Sequence, residues 1–227
     1  MEEVALALSA PALEDRRSGL VARINESPYL TCYPASVDPA PFEVSRFREP
    51  ATERHAQALP DWCPGDDQPL VYVSFGSVAA TVPPAMQAYA SVLEAVAELP
   101  VRVLLSTGGH DLALGDVPDN VHVESWVDEP DVLAQASAVI GHGGAGTTLS
   151  ALAAGLPQVT VPLFGDQPAN GVRVAVAGAG VVAPLMGIRR ALERVLEQDS
   201  YRLAARRIAD EMRELPPVDD FLELLPA

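Results

Sequence analysis

The sequence predicts an α/β protein built on a Rossmann-like parallel sheet with helices on both faces. Apolar runs rich in β-branched residues, such as Leu70–Phe75 and Val101–Leu105, predict buried strands. Segments with helical periodicity alternate with these runs, as at 83–99 and 145–154. Because the runs are apolar without interruption, both faces of the sheet are expected to be covered.

The first 69 residues are organised differently from the rest. Residues 1–22 are predicted to be helical, and Leu30–Tyr33 a short strand. Seven prolines then punctuate a mostly polar stretch, and proline fixes φ and removes a backbone donor. Residues 34–69 are therefore expected to form a loop or linker.

Beyond residue 69, turn and capping signals separate regular elements. Pro83 and Pro84 suit the first turn of a helix, and Gly155 suits the left-handed residue that ends one. Strands are predicted at 70–75, 101–105, 121–123, 138–140, 158–163 and 181–182, and helices at 83–99, 130–136, 145–154, 166–177, 189–198 and 201–215.

Composition excludes several classes of function. The chain has 227 residues, 31 acidic against 15 basic, and no lysine, so its net charge of -16 argues against nucleic acid and anionic membrane surfaces. Cys32 and Cys63 lack the spacing of metal ligands, so no metal is expected. The acidic N-terminus is unlike a signal peptide, and no apolar run approaches the roughly 20 residues of a membrane span. We expect a cytoplasmic protein.

The stretch from Ala138 to Leu152 predicts a buried strand, a glycine turn and the start of a helix. Glycines let backbone N–H groups approach a ligand, and a helix N-terminus directs its unpaired N–H groups at the same place, which makes an anion site. The spacing Gly141-x-Gly143-x-x-Gly146, with Asp166 about twenty residues on, also fits a dinucleotide site. A dinucleotide site, a nucleotide-sugar site and a plain strand-to-helix turn all remain open on this motif.

Polar residues collect at the carboxyl ends of the predicted strands, the edge where open α/β sheets bind ligands. Gly76-Ser77 and His142 offer hydrogen bonds to phosphate, Trp126 offers a flat face to a base, and Asp166-Gln167 suit sugar hydroxyls. Each of these residues alone is commonly structural, Asp166 as an N-cap for instance. Their arrival together at one sheet edge favours a binding site.

Several blocks occur here in the order of a known signature: Trp126-Val127, His142-Gly143-Gly144-Ala145-Gly146-Thr147-Thr148, Gly155-Leu156-Pro157 and Pro162-Leu163-Phe164-Gly165-Asp166-Gln167. They resemble the donor-binding signature of family 1 glycosyltransferases, most of all bacterial enzymes that attach deoxysugars to polyketide and enediyne antibiotics. The resemblance implies the C-terminal half of a two-domain GT-B fold. It implies a remnant of the N-terminal acceptor domain at 1–33, an interdomain linker at 34–69, the donor domain at 70–215 and a tail at 216–227.

The resemblance also assigns roles to residues. Trp126 would stack on the base, the Val127 backbone would pair with its edge, and Asp166 and Gln167 would hold the sugar. The diphosphate would lie against the loops after two strands, with His142 stabilising the leaving group. The implied nucleotide-sugar site comprises Gly76, Ser77, Trp126, Val127, His142, Gly143, Gly144, Ala145, Gly146, Thr147, Ser150, Asp166 and Gln167. The substrate would be a dTDP-sugar or UDP-sugar, with no cofactor and no metal.

Two departures from the family pattern bear on the donor. Asp128-Glu129 stands where Pro-Gln is usual, and Ser150 stands where many UDP-sugar enzymes have a glutamate that grips both ribose hydroxyls. Because a 2′-deoxyribose has no 2′-hydroxyl to grip, Ser150 favours dTDP over UDP.

The acceptor half is expected to be missing from this chain. In the family the base that deprotonates the acceptor, usually a histidine, comes from the N-terminal half, and residues 1–33 contain no histidine. We therefore expect the isolated chain to be inactive, with a small-molecule aglycone acceptor, the missing N-terminal domain and a second copy of the chain as partners. An NAD-dependent oxidoreductase domain and a non-catalytic nucleotide-binding module remain alternatives.

Overall fold

The computed structural model describes residues 11–12, 15–26, 29–40, 43–48, 68–78 and 82–224. Much of the helix predicted within 1–22, most of the predicted linker and the last three residues of the tail lie outside this part of the chain. The short strand predicted at Leu30–Tyr33 is present as β1 (Leu30–Thr31), preceded by helix α1 (Leu20–Glu26) and paired in parallel with β2 (Ser45–Arg46).

Among the described residues, six parallel strands form one sheet in the order β5-β4-β3-β6-β7-β8. This confirms the predicted parallel sheet. The strands are β3 (Leu70–Ser74), β4 (Arg102–Ser106), β5 (Val121–Glu124), β6 (Ala138–Gly141), β7 (Gln158–Thr160) and β8 (Gly180–Val182). The predicted strand at 158–163 is too long, because Pro162 cannot donate a ladder hydrogen bond.

Helices cover both faces of the sheet, as predicted. Alternate residues of β3 enter different apolar clusters: Val71 and Val73 pack in one, and Leu70 and Tyr72 in another. The helices are α2 (Pro83–Val96), α3 (Glu129–Leu133), α4 (Ala145–Ala153), α5 (Gln167–Val176), α6 (Ile188–Glu197) and α7 (Asp199–Glu214). Gly155, the second residue after α4, has a φ of +70°, as expected for the left-handed residue that follows a helix C-cap.

The strand order reverses between β3 and β6. From β3 the chain adds β4 and β5 on one side, then returns to add β6, β7 and β8 on the other. The loops after β3 and β6 therefore separate at this point and leave a crevice at the carboxyl ends of the strands, which is where open α/β sheets bind ligands.

The residues just before the sheet domain pack more closely than a linker would. Tyr33 and Val37 are buried in a cluster with Leu152 of α4 and Ile208 of α7. The carboxylate of Asp38 lies 3.2 Å from the guanidinium of Arg173. The chain around Tyr33 to Asp38 thus packs against α4, α5 and α7, because Tyr33 and Val37 are buried there and Asp38 pairs with Arg173.

Candidate functional site

A cavity of about 740 Å³ opens at the reversal point of the sheet. The ends of β3 and β4 form its floor, and the loop after β5 and the first turns of α4 form its walls. Seven of the residues predicted for the site line it: Gly76, Ser77, Trp126, Val127, Gly146, Thr147 and Ser150. The sequence therefore assembles residues that are up to 74 positions apart on one surface.

The N-terminus of α4 forms one end of the cavity. The first hydrogen bond of the helix runs from the N–H of Thr148 to the carbonyl oxygen of Gly144 at 3.0 Å. The N–H groups of Ala145, Gly146 and Thr147 precede it and have no partner within the helix. The first turn of α4, all of it described by the structure, contains no acidic residue. Unpaired N–H groups and the positive end of the helix dipole favour an anion here.

Two glycines at this helix start are required for different reasons. Gly143 has a φ of +86°, and a Cβ there would lie 2.7 Å from the carbonyl oxygen of Gln167. A Cβ on Gly146, by contrast, would meet no described atom within 4 Å. Protein packing thus explains Gly143, whereas Gly146 keeps cavity space open.

The side chain of His142 is buried within the glycine loop, defined as residues 142–144 between β6 and α4. His142 is only 9% exposed, and a Cβ on Gly144 would lie 2.3 Å from the Nε2 atom of His142. Burial lowers the pKa of His142, and the backbone of Ser74 and the charge of Asp166 offset this only in part. Its Nδ1 atom is buried with no hydrogen-bond partner among the described residues. The imidazole of His142 is thus kept in its neutral form and is largely enclosed by protein.

Trp126 forms the opposite end of the cavity. It is 68% exposed, which is unusual for so large an apolar side chain. The neighbouring Val127 packs against the apolar cluster that contains Leu133, so the backbone beneath the indole is anchored. The exposed ring is a platform on which a planar base could stack.

Glu129, the first residue of α3, also lines the cavity and was not predicted to belong to the site. Burial raises the pKa of Glu129, while a hydrogen bond from the side chain of Ser150 lowers it. The Ser150 hydroxyl is therefore paired with a carboxylate. The substitution of the usual Pro-Gln by Asp128-Glu129 is the sequence signal that could have indicated this.

Asp166 and Gln167 do not line the cavity but lie beside the glycine loop. Gln167 is 3% exposed, and its Oε1 atom accepts hydrogen bonds from the backbone of Leu163 at 2.8 Å and Phe164 at 2.9 Å. Asp166 occupies the N-cap position of α5 without making a side-chain cap. Gln167 thus organises the preceding turn, and Asp166 remains exposed at the helix start.

Asn170 connects α5 to the glycine loop. Its Nδ2 atom donates to the carbonyl of Gly143 and to Oδ2 of Asp166, both at 2.9 Å. The residue is 2% exposed. Its position four residues after Asp166, one helical turn on, was the available sequence signal.

His142, Gly143, Gly144 and Ala145 are the remaining predicted residues, and they form the loop and helix start next to the cavity rather than its lining. Within the described part of the chain, no group of three or more His, Cys, Asp or Glu residues could hold a metal ion. No helix there is long and apolar enough to cross a membrane.

Comparisons with known proteins identify relatives of this chain. Over 118 residues the chain is 43% identical to elloramycin glycosyltransferase from Streptomyces olivaceus, covering 52% of this chain and 31% of that protein. The crystal structure of the glycosyltransferase SnogD from Streptomyces nogalater matches with a TM-score of 0.73 and 32% identity, covering 87% of this chain and 56% of that one. Spinosyn rhamnosyltransferase SpnG complexed with thymidine diphosphate matches with a TM-score of 0.70 and 25% identity, covering 86% of this chain and 55% of that one.

The chain thus spans about a third of the elloramycin enzyme and about half of the two crystallised proteins. The likeness confirms the predicted fold and the predicted resemblance to antibiotic glycosyltransferases. Residues 90–223, more than half of the chain, match the family described as erythromycin biosynthesis protein CIII-like, C-terminal domain, and the chain belongs to that family.

Proposed function

We propose that this chain is the donor-binding domain of a glycosyltransferase that moves a hexose or deoxyhexose from a dTDP-sugar to a hydroxyl group of a natural-product aglycone. One observation carries the proposal: a single cavity has an exposed indole at one end and an acid-free helix N-terminus at the other. A nucleoside diphosphate has a planar base and two phosphates at its corresponding ends.

This asymmetry supports one orientation of the nucleotide. The base stacks on Trp126, and the diphosphate lies against the N–H groups of Gly146 and Thr147, with Ser77 on the opposite loop. The sugar then extends past the glycine loop towards Asp166, with the Nε2 group of Gln167 as a second contact. The Oε1 atom of Gln167 already accepts two backbone hydrogen bonds, so it is excluded from that contact.

The reaction follows from this placement. The acceptor oxygen attacks the anomeric carbon, the bond from that carbon to the diphosphate breaks, and the acceptor proton passes to a base. Negative charge grows on the departing diphosphate, where the helix N-terminus and the imidazole of His142 stabilise it. We propose that the base belongs to the other half of the two-domain fold, and that residues 1–33, 34–69, 70–215 and 216–227 divide as the resemblance implies.

The Glu129–Ser150 pair supports dTDP as the preferred nucleotide. The Ser150 hydroxyl already donates to Glu129, so one position at the nucleoside end of the cavity is satisfied within the protein. Many UDP-sugar enzymes of the resembled family have at this position a glutamate that grips both ribose hydroxyls, whereas Ser150 is shorter and its hydroxyl is engaged by Glu129. A 2′-deoxyribose has no 2′-hydroxyl that needs such a grip.

Thermal unfolding of the 227-residue chain with dTDP, UDP or NAD tests the proposal. A nucleotide at about 100 times its Kd adds roughly 2.7 kcal/mol, which raises the Tm of a protein of this size by about 5–10 °C. We expect dTDP to stabilise most. A larger effect of UDP would refute the deoxyribose preference, a larger effect of NAD would favour an oxidoreductase, and no effect of any would contradict nucleotide binding.

The donor preference has its own test. Ser150→Glu alone would place a second carboxylate beside Glu129, and like charges repel, so both nucleotides should bind more weakly. Combining Ser150→Glu with Glu129→Gln moves the carboxylate from α3 to α4 and should shift preference towards UDP. Unchanged preference in the double variant would count against the role of the pair.

Incubation of the chain with donor and acceptor should yield little or no product, and efficient turnover would refute the placement of the base elsewhere.

A further inference from the structure

The loop after β4, defined here as Thr107–His110, lies between the two ends of the cavity. Gly108 is the member of this loop that lines the cavity. The β4 loop was not assigned a role by the sequence, although its two consecutive glycines follow a predicted strand.

One side of the β4 loop is joined to the base end of the cavity. The backbone of Thr107 donates to Glu124 at 3.0 Å, and that of Gly109 donates to Ser125 at 2.6 Å. These bonds extend the pairing of β4 with β5 up to the residue before Trp126. A Cβ on Gly109 would lie 4.0 Å from Cε3 of Trp126, so the loop backs the indole directly.

The other side of the β4 loop is joined to the diphosphate end. The Nε2 atom of His110 lies 2.8 Å from the carbonyl oxygen of Ser77, and because a carbonyl only accepts, Nε2 carries the hydrogen. A Cβ on Gly108 would lie 2.5 Å from the carbonyl oxygen of Gly76. The β4 loop and the Gly76–Ser77 turn therefore touch through their backbones.

Backbone conformation and an internal hydrogen bond define the shape of the β4 loop. Gly108 and Gly109 have φ angles of +66° and +89°, which other residues rarely adopt. The hydroxyl of Thr107 also donates to the carbonyl of His110 and closes the loop on itself. The β4 loop is thus hydrogen-bonded to both ends of the cavity and to itself.

We propose that the β4 loop couples the base end of the nucleotide cavity to its diphosphate end, and that His110 is a positioning residue that holds the Ser77 turn against the diphosphate. The inference rests on the proposed function, since it concerns how that site grips a nucleoside diphosphate. His110 does not line the cavity and acts through Ser77.

Titration calorimetry of the 227-residue chain with dTDP tests the positioning role. His110→Ala removes the donor to Ser77 and should weaken dTDP binding by about 3- to 10-fold, the size expected for one hydrogen bond. His110→Gln keeps an N–H at the same reach and should restore most of the affinity. His122→Ala is the matched control, because His122 is also half-exposed and bonded at 2.8 Å, to Glu124, but is not among the residues that line the cavity.

Coupling between the two ends needs a second readout. With Trp62 replaced by phenylalanine, Trp126 is the sole tryptophan of the sequence. Inorganic pyrophosphate, which has no base, should change the fluorescence of Trp126 in the otherwise unmodified chain and in His110→Gln, and should change it less in His110→Ala.

The outcomes separate the two claims. If the unmodified chain binds neither dTDP nor UDP, the proposed function fails and this inference fails with it. If dTDP binds but His110→Ala binds it equally well, or pyrophosphate leaves Trp126 fluorescence unchanged, the inference fails and the proposed function stands. Unfolding temperatures without nucleotide, measured for every variant, identify any loss of affinity that comes from unfolding.

Discussion

Replacing Gly146 by alanine should stabilise the protein and impair nucleotide binding at once. A Cβ at Gly146 would meet no described atom within 4 Å, and the residue is the second of α4. Alanine in a helix is favoured over glycine by about 0.5–1 kcal/mol. For a chain of this size that corresponds to a rise in Tm of about 1–4 °C.

The same methyl group should displace the diphosphate. Gly146 lines the cavity at the N-terminus of α4, where we place the phosphates. Loss of one hydrogen bond to a charged group costs about 1.5–3 kcal/mol. The expected weakening of dTDP binding is therefore about 10- to 100-fold.

Gly143→Ala is the matched control, because it should have the opposite effect on stability. Gly143 has a φ of +86°, and its Cβ would lie 2.7 Å from the Gln167 carbonyl oxygen and 2.8 Å from Cγ2 of Thr160. The left-handed conformation costs alanine about 1–2 kcal/mol, and the overpacking adds about 1–3 kcal/mol. The Tm should fall by about 4–20 °C.

Calorimetric unfolding without ligand and titration with dTDP measure both properties of each variant. A Gly146→Ala protein that binds dTDP as tightly as the unmodified chain would show that the phosphates do not lie against α4. A Gly146→Ala protein with a lowered Tm would show that the space beside Gly146 is filled in solution.

Three further predictions concern buried polar groups around the cavity. Because burial lowers the pKa of His142 below 6.5, the unfolded state binds the imidazole proton more readily, so the free energy of unfolding should fall as pH drops below 6.5. Urea unfolding at pH 5.5 and 7.5 should show a smaller pH dependence for His142→Gln, and an equal pH dependence in the two proteins would contradict this. Because the pKa of Glu129 is raised above 4.5, the contribution of its protonated form to stability is lost as pH rises. Glu129→Gln should therefore gain stability relative to the unmodified chain between pH 5 and 7.5, and a difference in unfolding free energy that stays constant over this range would refute the prediction. Asn170→Ala removes the donor to Gly143 and Asp166 and should cost about 1–3 kcal/mol in denaturant unfolding, whereas an unchanged midpoint would show that the link is dispensable.

Local sequence patterns determined most of the secondary structure, because the signals act over a few neighbouring residues. Apolar runs marked the strands of the main sheet, although Arg102 and His122 interrupt two of them, and proline and glycine marked helix ends such as Pro83 and Gly155. The strand predicted at 158–163 was overextended because an apolar run continues past Thr160, whereas the ladder stops before Pro162. The family blocks predicted that Trp126 and Gly146 share a site, and both residues line the same cavity.

Tertiary structure decided what each polar side chain does within that site. Glu129 lies near Ser150 because α3 and α4 meet, and the spacing of the two residues in the chain does not reveal this. Gln167 is expected to hold sugar, and the structure shows in addition that its side-chain oxygen Oε1 accepts two backbone hydrogen bonds from the preceding turn. His110 reaches Ser77 from 33 residues away because β4 pairs with β3. Hydrogen-bond partners depend on distances between elements, and those distances are set by packing rather than by local sequence.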